Sequence, residues 1–360
     1  AQIVTKYHLP NFWQALRAIH YPKNEREVEA AHKRLAFEEI FIIQISRMQE
    51  RLRLEEKTSL VIPSKAAVKE DFLKKLPFSL TKTQDQIFDT ILKDISLKTP
   101  MARLLEGDVG SGKTIIAAGA SYAAVQAGFQ TIYMAPTEIL ARQHFASFSK
   151  YLGRDNLKIG LLTSSEALVY PSKAFRGEPA HIPKTQLVRW LASGEIKILI
   201  GTHALLGKSI RFKNLAFIVV DEQHRFGITQ RSALAKSKSH GHDFVPHFLS
   251  MTATPIPRTL SLTIFGDLDL SVLDESPPGR ASITTIALTK PVERNWELAR
   301  QELKKGRQAF VVCPRIEADE KTEQKSVRET YKKLSSEVFP EFASGMLHGK
   351  MTPREKDRVM

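Results

Sequence analysis

The sequence contains a single cysteine, Cys313, among its 360 residues, so no disulfide can form within the chain. It has no apolar run near the roughly 18 residues that a membrane-spanning helix requires. Residues 1–6 (AQIVTK) lack the basic and apolar regions of a secretory signal peptide. These absences favour a cytoplasmic protein that does not bind membranes. Cys313 follows an apolar run that predicts a strand, which would make the thiol a core residue.

Acidic residues are in short supply relative to basic ones. The chain has 53 Lys and Arg against 39 Asp and Glu, which gives a net charge of +14 and a pI near 9.7. The excess is spread along the chain and forms no basic tail. A balance of this kind favours a polyanionic partner such as nucleic acid, but a basic protein without such a partner would have it too.

The order of apolar patterns and breaks predicts three segments. Residues 1–75 are predicted to be helical, and residues 76–275 alternate strand and helix in the manner of a doubly wound α/β domain. Residues 276–280 (SPPGR) are typical of a linker. The remainder, within 276–360, is predicted to begin a second α/β unit.

In that second unit we expect strands at 281–289 and 308–313 around a helix at 292–305. Thr352 and Pro353 would begin a helix only a few residues before the chain stops at Met360, and Ala1 is not an initiator methionine. We therefore expect the chain to be part of a longer protein.

Residues 107–114 (GDVGSGKT) match the phosphate-binding pattern G-x-x-x-x-G-K-[ST] at every defined position. A short apolar strand precedes them, and an Ala-rich helix that ends near Gly128 follows. Glycines let the backbone wrap around phosphate, while the helix N-terminus supplies N–H donors and positive potential. Lys113 would reach the β and γ phosphates, and the Thr114 hydroxyl would bind Mg²⁺. The sequence therefore predicts a nucleoside triphosphate site.

A pair of carboxylates, Asp221 and Glu222, follows the apolar strand 215–220. The first can hold Mg²⁺ and the second can act as the base that polarises the attacking water, which suits phosphoryl transfer. Polar clusters also follow the predicted strands at 130–135, 196–200 and 247–251. Because ligands bind at the carboxyl ends of strands in open α/β sheets, these clusters predict one extended site.

The ordered motifs of the chain resemble those of superfamily 2 helicases and translocases. They are GDVGSGKT (107–114), APTEILARQH (135–144), GTHALL (201–206), DEQHRFG (221–227) and MTATPIPRTL (251–260). The last two narrow the resemblance to RecG-type branched-DNA helicases and transcription-repair coupling translocases. Residues 266–280 (GDLDLSVLDESPPGR) and 312–320 (VCPRIEADE) are similar to RecG, and the likeness covers roughly residues 25–360.

The resemblance implies a RecA-like doubly wound parallel sheet with a P-loop, after a helical segment and before a truncated second RecA-like domain. It implies ATP and Mg²⁺ as ligands and branched DNA, such as a stalled fork or Holliday junction, as partner. It also implies a monomer that acts in the bacterial cytoplasm at the nucleoid.

Site residues follow from the same resemblance. Gln84 would read the adenine edge, Asp221 would hold the metal and Glu222 would activate water. The remaining ATP-binding residues are Gly107, Asp108, Val109, Gly110, Ser111, Gly112, Lys113 and Thr114. Coupling of nucleotide state to DNA is implied for His224, Thr252, Thr254 and Arg258, and contact with the DNA backbone for Thr137, Thr202 and His203. Arg225 and Arg258 are candidates for coupling or for contact with phosphate, and they could equally be structural ion-pair residues.

Several features depart from the family pattern or leave alternatives open. The family's wedge domain would precede residue 1, its later arginine motifs would follow Met360, and residues 163–186 form a Pro-rich insertion that we expect to be disordered. We therefore expect the chain alone to hydrolyse ATP slowly. A coupling translocase usually has Glu where this chain has Gln223. A module that binds nucleotide and DNA without doing work is a further alternative, whereas a GTPase should show an N-K-x-D motif that the sequence lacks.

Overall fold

The computed structural model describes residues 2–63, 65–153, 157–171, 178–207, 210–222, 244–254, 268–275, 283–287, 293–313 and 326–359. By its internal contacts the chain divides into two compact units, Ala1–Arg280 and Ala281–Met360. The predicted division into segments 1–75, 76–275 and 276–360 stays a prediction.

Helices come first in the larger unit. They are α1 (Gln2–Lys6), α2 (Phe12–His20), α3 (Glu25–Glu55), α4 (Ala66–Lys74) and α5 (Lys82–Ile95). The long helix α3 begins at the N-cap Asn24, whose side chain accepts a hydrogen bond from the Glu27 amide. Among its described residues only Ala31 is buried, so it packs along one narrow stripe and leaves most of its surface exposed.

A nine-stranded sheet with its helices forms the rest of this unit. The elements are β1 (Ala102–Gly107), α6 (Lys113–Gln126), β2 (Gln130–Met134), α7 (Glu138–Leu152), β3 (Ile159–Leu162), β4 (Ala167–Tyr170), β5 (Ala180–His181), α8 (Lys184–Ser193), β6 (Ile198–Gly201), a 3-10 turn (His203–Leu206), β7 (Leu215–Asp221), β8 (His247–Thr252) and β9 (Asp269–Leu273). The strand order is β5-β4-β3-β6-β2-β7-β8-β1-β9. Every pairing is parallel except β3 with β4 and β4 with β5.

The middle of the sheet is apolar on both faces because helices cover both. Residues Leu215–Val220 of β7 are all buried, as expected for a strand in a parallel sheet. Helix α6 is buried almost all round, and its small side chains allow close packing: a methyl group at Gly119 would come within 2.5 Å of the Phe88 ring. The predicted α/β sheet is therefore confirmed.

The prediction of disorder for the insertion at 163–186 is wrong where the insertion is described. Strands β4 and β5 extend the sheet beyond β3 in antiparallel pairing, and along β4 Ala167 and Val169 are buried while Leu168 and Tyr170 are half-buried. This alternation with a period of two residues is what holds a strand on a sheet edge. Residues 172–177 lie outside the described part of the chain.

The smaller unit contains the helices α9 (Glu293–Lys304), α10 (Val327–Lys333) and α11 (Pro353–Val359), with a π-type turn at Leu334–Val338. The ring of Trp296 packs edge-on against Phe339, with the ring centroids 5.8 Å apart. As predicted, Thr352 begins the last helix, and Glu355 accepts a hydrogen bond from the Thr352 amide at 2.7 Å.

The strands predicted at 281–289 and 308–313 are not formed in the described residues of those ranges. Residues 283–287 and 308–312 form no regular secondary structure and are exposed, and Val312 is 92% exposed. Cys313 is half-buried, so its predicted place in the core is also wrong. An apolar run becomes a strand only when a neighbouring strand pairs with it, and no such pairing involves these residues in the part of the chain that the structure describes.

Candidate nucleotide and nucleic-acid site

The loop between β1 and α6 has the backbone that a phosphate cradle requires. Gly110 and Gly112 have φ angles of +81° and +92°, in the left-handed region that side chains disfavour. A methyl group at Gly112 would in addition lie 2.3 Å from the Gln84 amide nitrogen. Val109 is 69% exposed at the tip of the loop. The glycines are therefore needed both for the turn and for its close approach to α5.

Lys113 is the first residue of α6, and its side chain folds back across the loop. Its ammonium donates hydrogen bonds to the carbonyl oxygens of Gly107, at 2.6 Å, and Asp108, at 2.9 Å. Burial lowers the pKa of Lys113, and the negative charges of Asp221, Glu222 and Asp108 oppose that effect. The cation thus lies within the field of both predicted catalytic carboxylates.

Glu222 occupies a special backbone position directly after β7. Its φ is +56°, and its amide donates to the Met251 carbonyl at 3.0 Å. Its Oε1 atom accepts a hydrogen bond from the Ala253 amide at 3.1 Å. The side chain is therefore fixed against the segment that follows β8.

That segment contains two of the residues predicted to couple the sites. The hydroxyls of Thr252 and Thr254 lie 2.9 Å apart, and the Thr254 amide donates to the Thr252 hydroxyl at 3.2 Å. Because Ala253 lies between them and contacts Glu222, any change in the position of this turn changes the surroundings of the carboxylate.

Strand order explains why these groups meet. Strands β7, β8 and β1 are neighbours, with Asp221 opposite Met251 and Glu106 opposite Thr252. Their carboxyl ends carry the carboxylate pair, the threonine segment and the phosphate loop respectively. Three motifs that are far apart in sequence therefore form one side of a single site.

The donors present fit Mg²⁺. Thr114 and Asp221 offer hard oxygen ligands, which Mg²⁺ prefers, usually together with phosphate oxygens and water. Among the described residues, no cluster of three or more His, Cys, Asp and Glu side chains suits a metal ion. The Ser111 hydroxyl in the same loop is buried and makes no hydrogen bond to the described residues, so it can serve an added ligand.

Two residues that sequence reasoning missed lie beside the predicted metal ligands. The hydroxyl of Tyr133, near the end of β2, lies close to the side chains of both Thr114 and Asp221. His144 of α7 lies 3.0 Å from the Asp221 carboxylate through Nε2. Burial, and next the charge of Asp221, raise the pKa of Tyr133 well above its usual range. His144 belongs to the 135–144 motif, but nothing local indicates that it contacts Asp221.

Gln84 has a second role besides the one predicted. Its Oε1 atom accepts from the Thr81 amide at 2.8 Å as part of the N-terminal capping box of α5. Its Nε2 atom donates to the Ser111 carbonyl at 2.7 Å. The side chain is 5% exposed and fastens the helix to the phosphate loop. Its contact with adenine stays a prediction.

The residues predicted to touch DNA lie on the adjacent part of the same sheet edge. Thr137 caps α7, its hydroxyl accepting from the Leu140 amide at 3.3 Å, directly after β2. Thr202 and His203 follow β6, the neighbour of β2, and begin the 3-10 turn. The predicted DNA half of the edge (β6, β2) therefore adjoins the nucleotide half (β7, β8, β1). His224, Arg225 and Arg258 lie outside the described residues, as do Gln223 and the linker 276–280.

Comparison with known proteins agrees with this geometry. The family model described as DEAD/DEAH box helicase matches residues 81–263, from the N-cap of α5 to beyond β8.

No helix among the described residues is long and apolar enough to span a bilayer.

Two curated relatives are similar over the whole chain. The ATP-dependent DNA helicase RecG of Thermotoga maritima is 42% identical over 366 residues, covering 100% of this chain and 44% of the relative. RecG of Synechocystis sp. is 39% identical over 362 residues, covering 100% of this chain and 41% of the relative. This chain therefore spans less than half the length of these relatives.

A solved structure of RecG bound to a three-way DNA junction is 35% identical and has a TM-score of 0.76. It covers 99% of this chain and 45% of the solved one. The resemblance to RecG that the motifs indicated is confirmed.

Proposed function

Since the chain belongs to the DEAD/DEAH box helicase family, we propose that the protein uses ATP hydrolysis to remodel branched DNA, such as stalled replication forks and Holliday junctions. The observation that carries the proposal is the convergence of Lys113, Glu222 and the Thr252–Thr254 segment at the ends of three adjacent strands. The similarity to RecG, of which one example is described as bound to a three-way DNA junction, favours DNA as the substrate.

The residues divide the chemistry between them. The loop amides and the Lys113 ammonium would bind the phosphates, and Glu222 would take the proton from the attacking water. Thr114 and Asp221 would hold Mg²⁺, which neutralises phosphate charge. Because the Glu222 carboxylate is fixed by the Ala253 amide, it is positioned before the nucleotide arrives.

The Thr252–Thr254 turn provides a route from hydrolysis to motion. Release of phosphate changes the charge beside Glu222, and the hydrogen bond to Ala253 transmits that change to the turn. Thr137 and Thr202, on the neighbouring strand ends, would hold the DNA backbone without reading bases.

The proposal extends to the setting in which the protein works. We propose that it acts as a monomer in the bacterial cytoplasm, in association with the nucleoid. A net charge of +14 supports a DNA-bound protein, and the relatives above are bacterial.

The test is ATP-dependent unwinding of synthetic forks and Holliday junctions by the natural protein that carries this chain. We expect Glu222→Gln to bind ATP with near-normal affinity but to lose unwinding, since glutamine keeps the oxygen that accepts from Ala253 and removes the base. Lys113→Ala should instead weaken ATP binding itself. Displacement of stalled RNA polymerase without activity on forks would favour a transcription-repair coupling translocase, and equal loss of binding in both variants would contradict the assigned roles.

A further inference from the structure

The predicted DNA half of the sheet edge ends at β2, and the nucleotide half begins at β7. The buried hydroxyl of Tyr133 lies at this boundary. Tyr133 lies on β2 opposite Val219 of β7 and is fully buried. Its hydroxyl lies close to the side chains of Thr114 and Asp221, the two predicted ligands of Mg²⁺, and 3.3 Å from the imidazole nitrogens of His144. These ligands come from different elements, and Tyr133 is a neighbour that both share.

His144 completes the contact from the helix side. Its Nε2–H donates to Asp221 Oδ2 at 3.0 Å, because a carboxylate can only accept. The Tyr133 hydroxyl lies 3.3 Å from the imidazole nitrogens, and the two ring centroids are 4.6 Å apart. The side chains of His144 and Asp221 are each only 13% exposed, so little water competes for these hydrogen bonds.

Packing holds both residues in place. The Tyr133 ring meets Phe148 of α7 edge-on at a centroid distance of 5.2 Å, and Phe145 and Phe148 are both buried beneath the helix. Helix α7 is therefore fixed on the sheet on either side of His144. A side chain held in this way can orient a neighbouring ligand without touching the metal or the nucleotide.

We propose that Tyr133 and His144 are positioning residues that orient Thr114 and Asp221 for Mg²⁺ binding. The inference rests on the proposed nucleotide site. Partners that hydrogen-bond to metal ligands fix the direction of their lone pairs, and removal of such a partner typically weakens metal binding by about 10–100-fold. Tyr133 lies close to both ligands and His144 contacts one of them, so each should make a separate contribution.

The experiment measures binding of a fluorescent ATP analogue to the 360-residue chain, first in EDTA and then with increasing Mg²⁺. The variants are Tyr133→Phe, which removes only the hydroxyl, His144→Ala, and His144→Gln, which keeps a side-chain N–H for Asp221. Ser147→Ala is the matched control, since it changes the next turn of α7 and its hydroxyl bonds only to the Gln143 carbonyl in the described contacts. Thermal melting of each variant checks folding.

We expect Tyr133→Phe and His144→Ala to raise the Mg²⁺ concentration for half-maximal binding by about tenfold. The affinity for the analogue without metal should change less than about twofold in both variants. His144→Gln should recover most of the Mg²⁺ dependence that His144→Ala loses, and Ser147→Ala should match the wild type. An unchanged Mg²⁺ dependence in the first two variants would overturn the inference. So would an equal loss of affinity with and without metal, which would indicate a merely structural role. If the wild type binds no analogue under either condition, the proposed function fails and this inference fails with it.

Discussion

The Gln84 amide has one oxygen and one nitrogen, and both are already in use, toward Thr81 and toward the phosphate loop at Ser111. A residue in this position can affect nucleotide binding by reading the base or by shaping the loop. The two roles make different predictions about nucleotide selectivity.

We expect Gln84→Ala to weaken binding of ATP and GTP by a similar factor of about 10, because loss of one hydrogen bond with a buried partner costs about 1–3 kcal/mol. Parallel titrations with the two nucleotides would measure it. A variant that loses ATP affinity but not GTP affinity would instead show that Gln84 reads adenine.

His247, the first residue of β8, is fully buried and neutral. Its Nδ1 atom accepts from the Met101 amide at 3.0 Å, and its Nε2 atom donates to the Leu60 carbonyl at 2.9 Å. Burial lowers the pKa of His247 from 6.5 to about 4. It thereby ties the segment before α4 to the sheet, and protonation would break the bond from Met101.

The pKa shift gives a pH dependence of known sign. Well above pH 6.5 the His247 imidazole is neutral in both the folded and the unfolded chain, so its contribution to the free energy of unfolding is fully present. As the pH falls from 6.5 to about 4, His247 binds a proton in the unfolded chain but not in the folded chain. The free energy of unfolding therefore falls by about 3 kcal/mol. Urea unfolding between pH 4 and 8 would measure this loss, and His247→Gln, which keeps one acceptor and one donor, should lack it. The same pH profile in both proteins would contradict the assignment.

At the scale of elements, β6 and β3 approach each other closely near the site. Gly201 ends β6, and a methyl group there would lie 2.1 Å from the Leu162 carbonyl oxygen and 3.0 Å from Leu205. The Gly201 carbonyl meanwhile accepts from the Ala135 amide at 2.8 Å. The end of β6 is thus in close contact with β3 on one side and hydrogen-bonded to the residue after β2 on the other.

Gly201→Ala should therefore destabilise the larger unit by about 1–3 kcal/mol, the usual cost of an overpacked position. Chemical denaturation followed by circular dichroism would measure the change. Gly349→Ala is the matched control, since a methyl group there meets nothing within 4 Å, and it should be close to neutral. Equal stability of both variants would mean that β6 can shift at little cost.

At the scale of the whole molecule, the charge of +14 predicts how DNA binding responds to salt. The logarithm of the affinity for duplex DNA should fall linearly with the logarithm of salt concentration, because cations released from the phosphates take part in the equilibrium. A site with 6–10 phosphate contacts would lose about 10³–10⁵ in affinity between 50 and 200 mM salt. Fluorescence anisotropy across that range gives the slope.

Thr202→Val is the comparison for this measurement. It removes one neutral hydroxyl, so it should weaken binding less than about tenfold and leave the slope unchanged. A slope near zero in the wild type would show that the positive charge serves solubility and not DNA.

The sequence by itself predicted the loop and the carboxylate pair of the proposed nucleotide site. The loop 107–114 could be identified because strand, glycine turn and helix N-terminus are encoded within a few consecutive residues, and Asp221 with Glu222 could be placed because a fully apolar strand precedes them. Local patterns were less informative where a strand depends on a distant partner. They missed β4 and β5 in the insertion, and they predicted strands at 281–289 and 308–313 that find no partner in the described residues.

Only the tertiary structure decided which side chains meet across the sheet. Asp221 and His144 are 77 residues apart, and they touch because β2 and β7 are neighbours. Gln84 reaches the phosphate loop because α5 packs on α6. Strand order and helix packing are set by the burial of the whole core, and no short stretch of sequence contains that information. For this reason the phosphate loop could be predicted from sequence, whereas the residues that we propose to position the metal ligands could not.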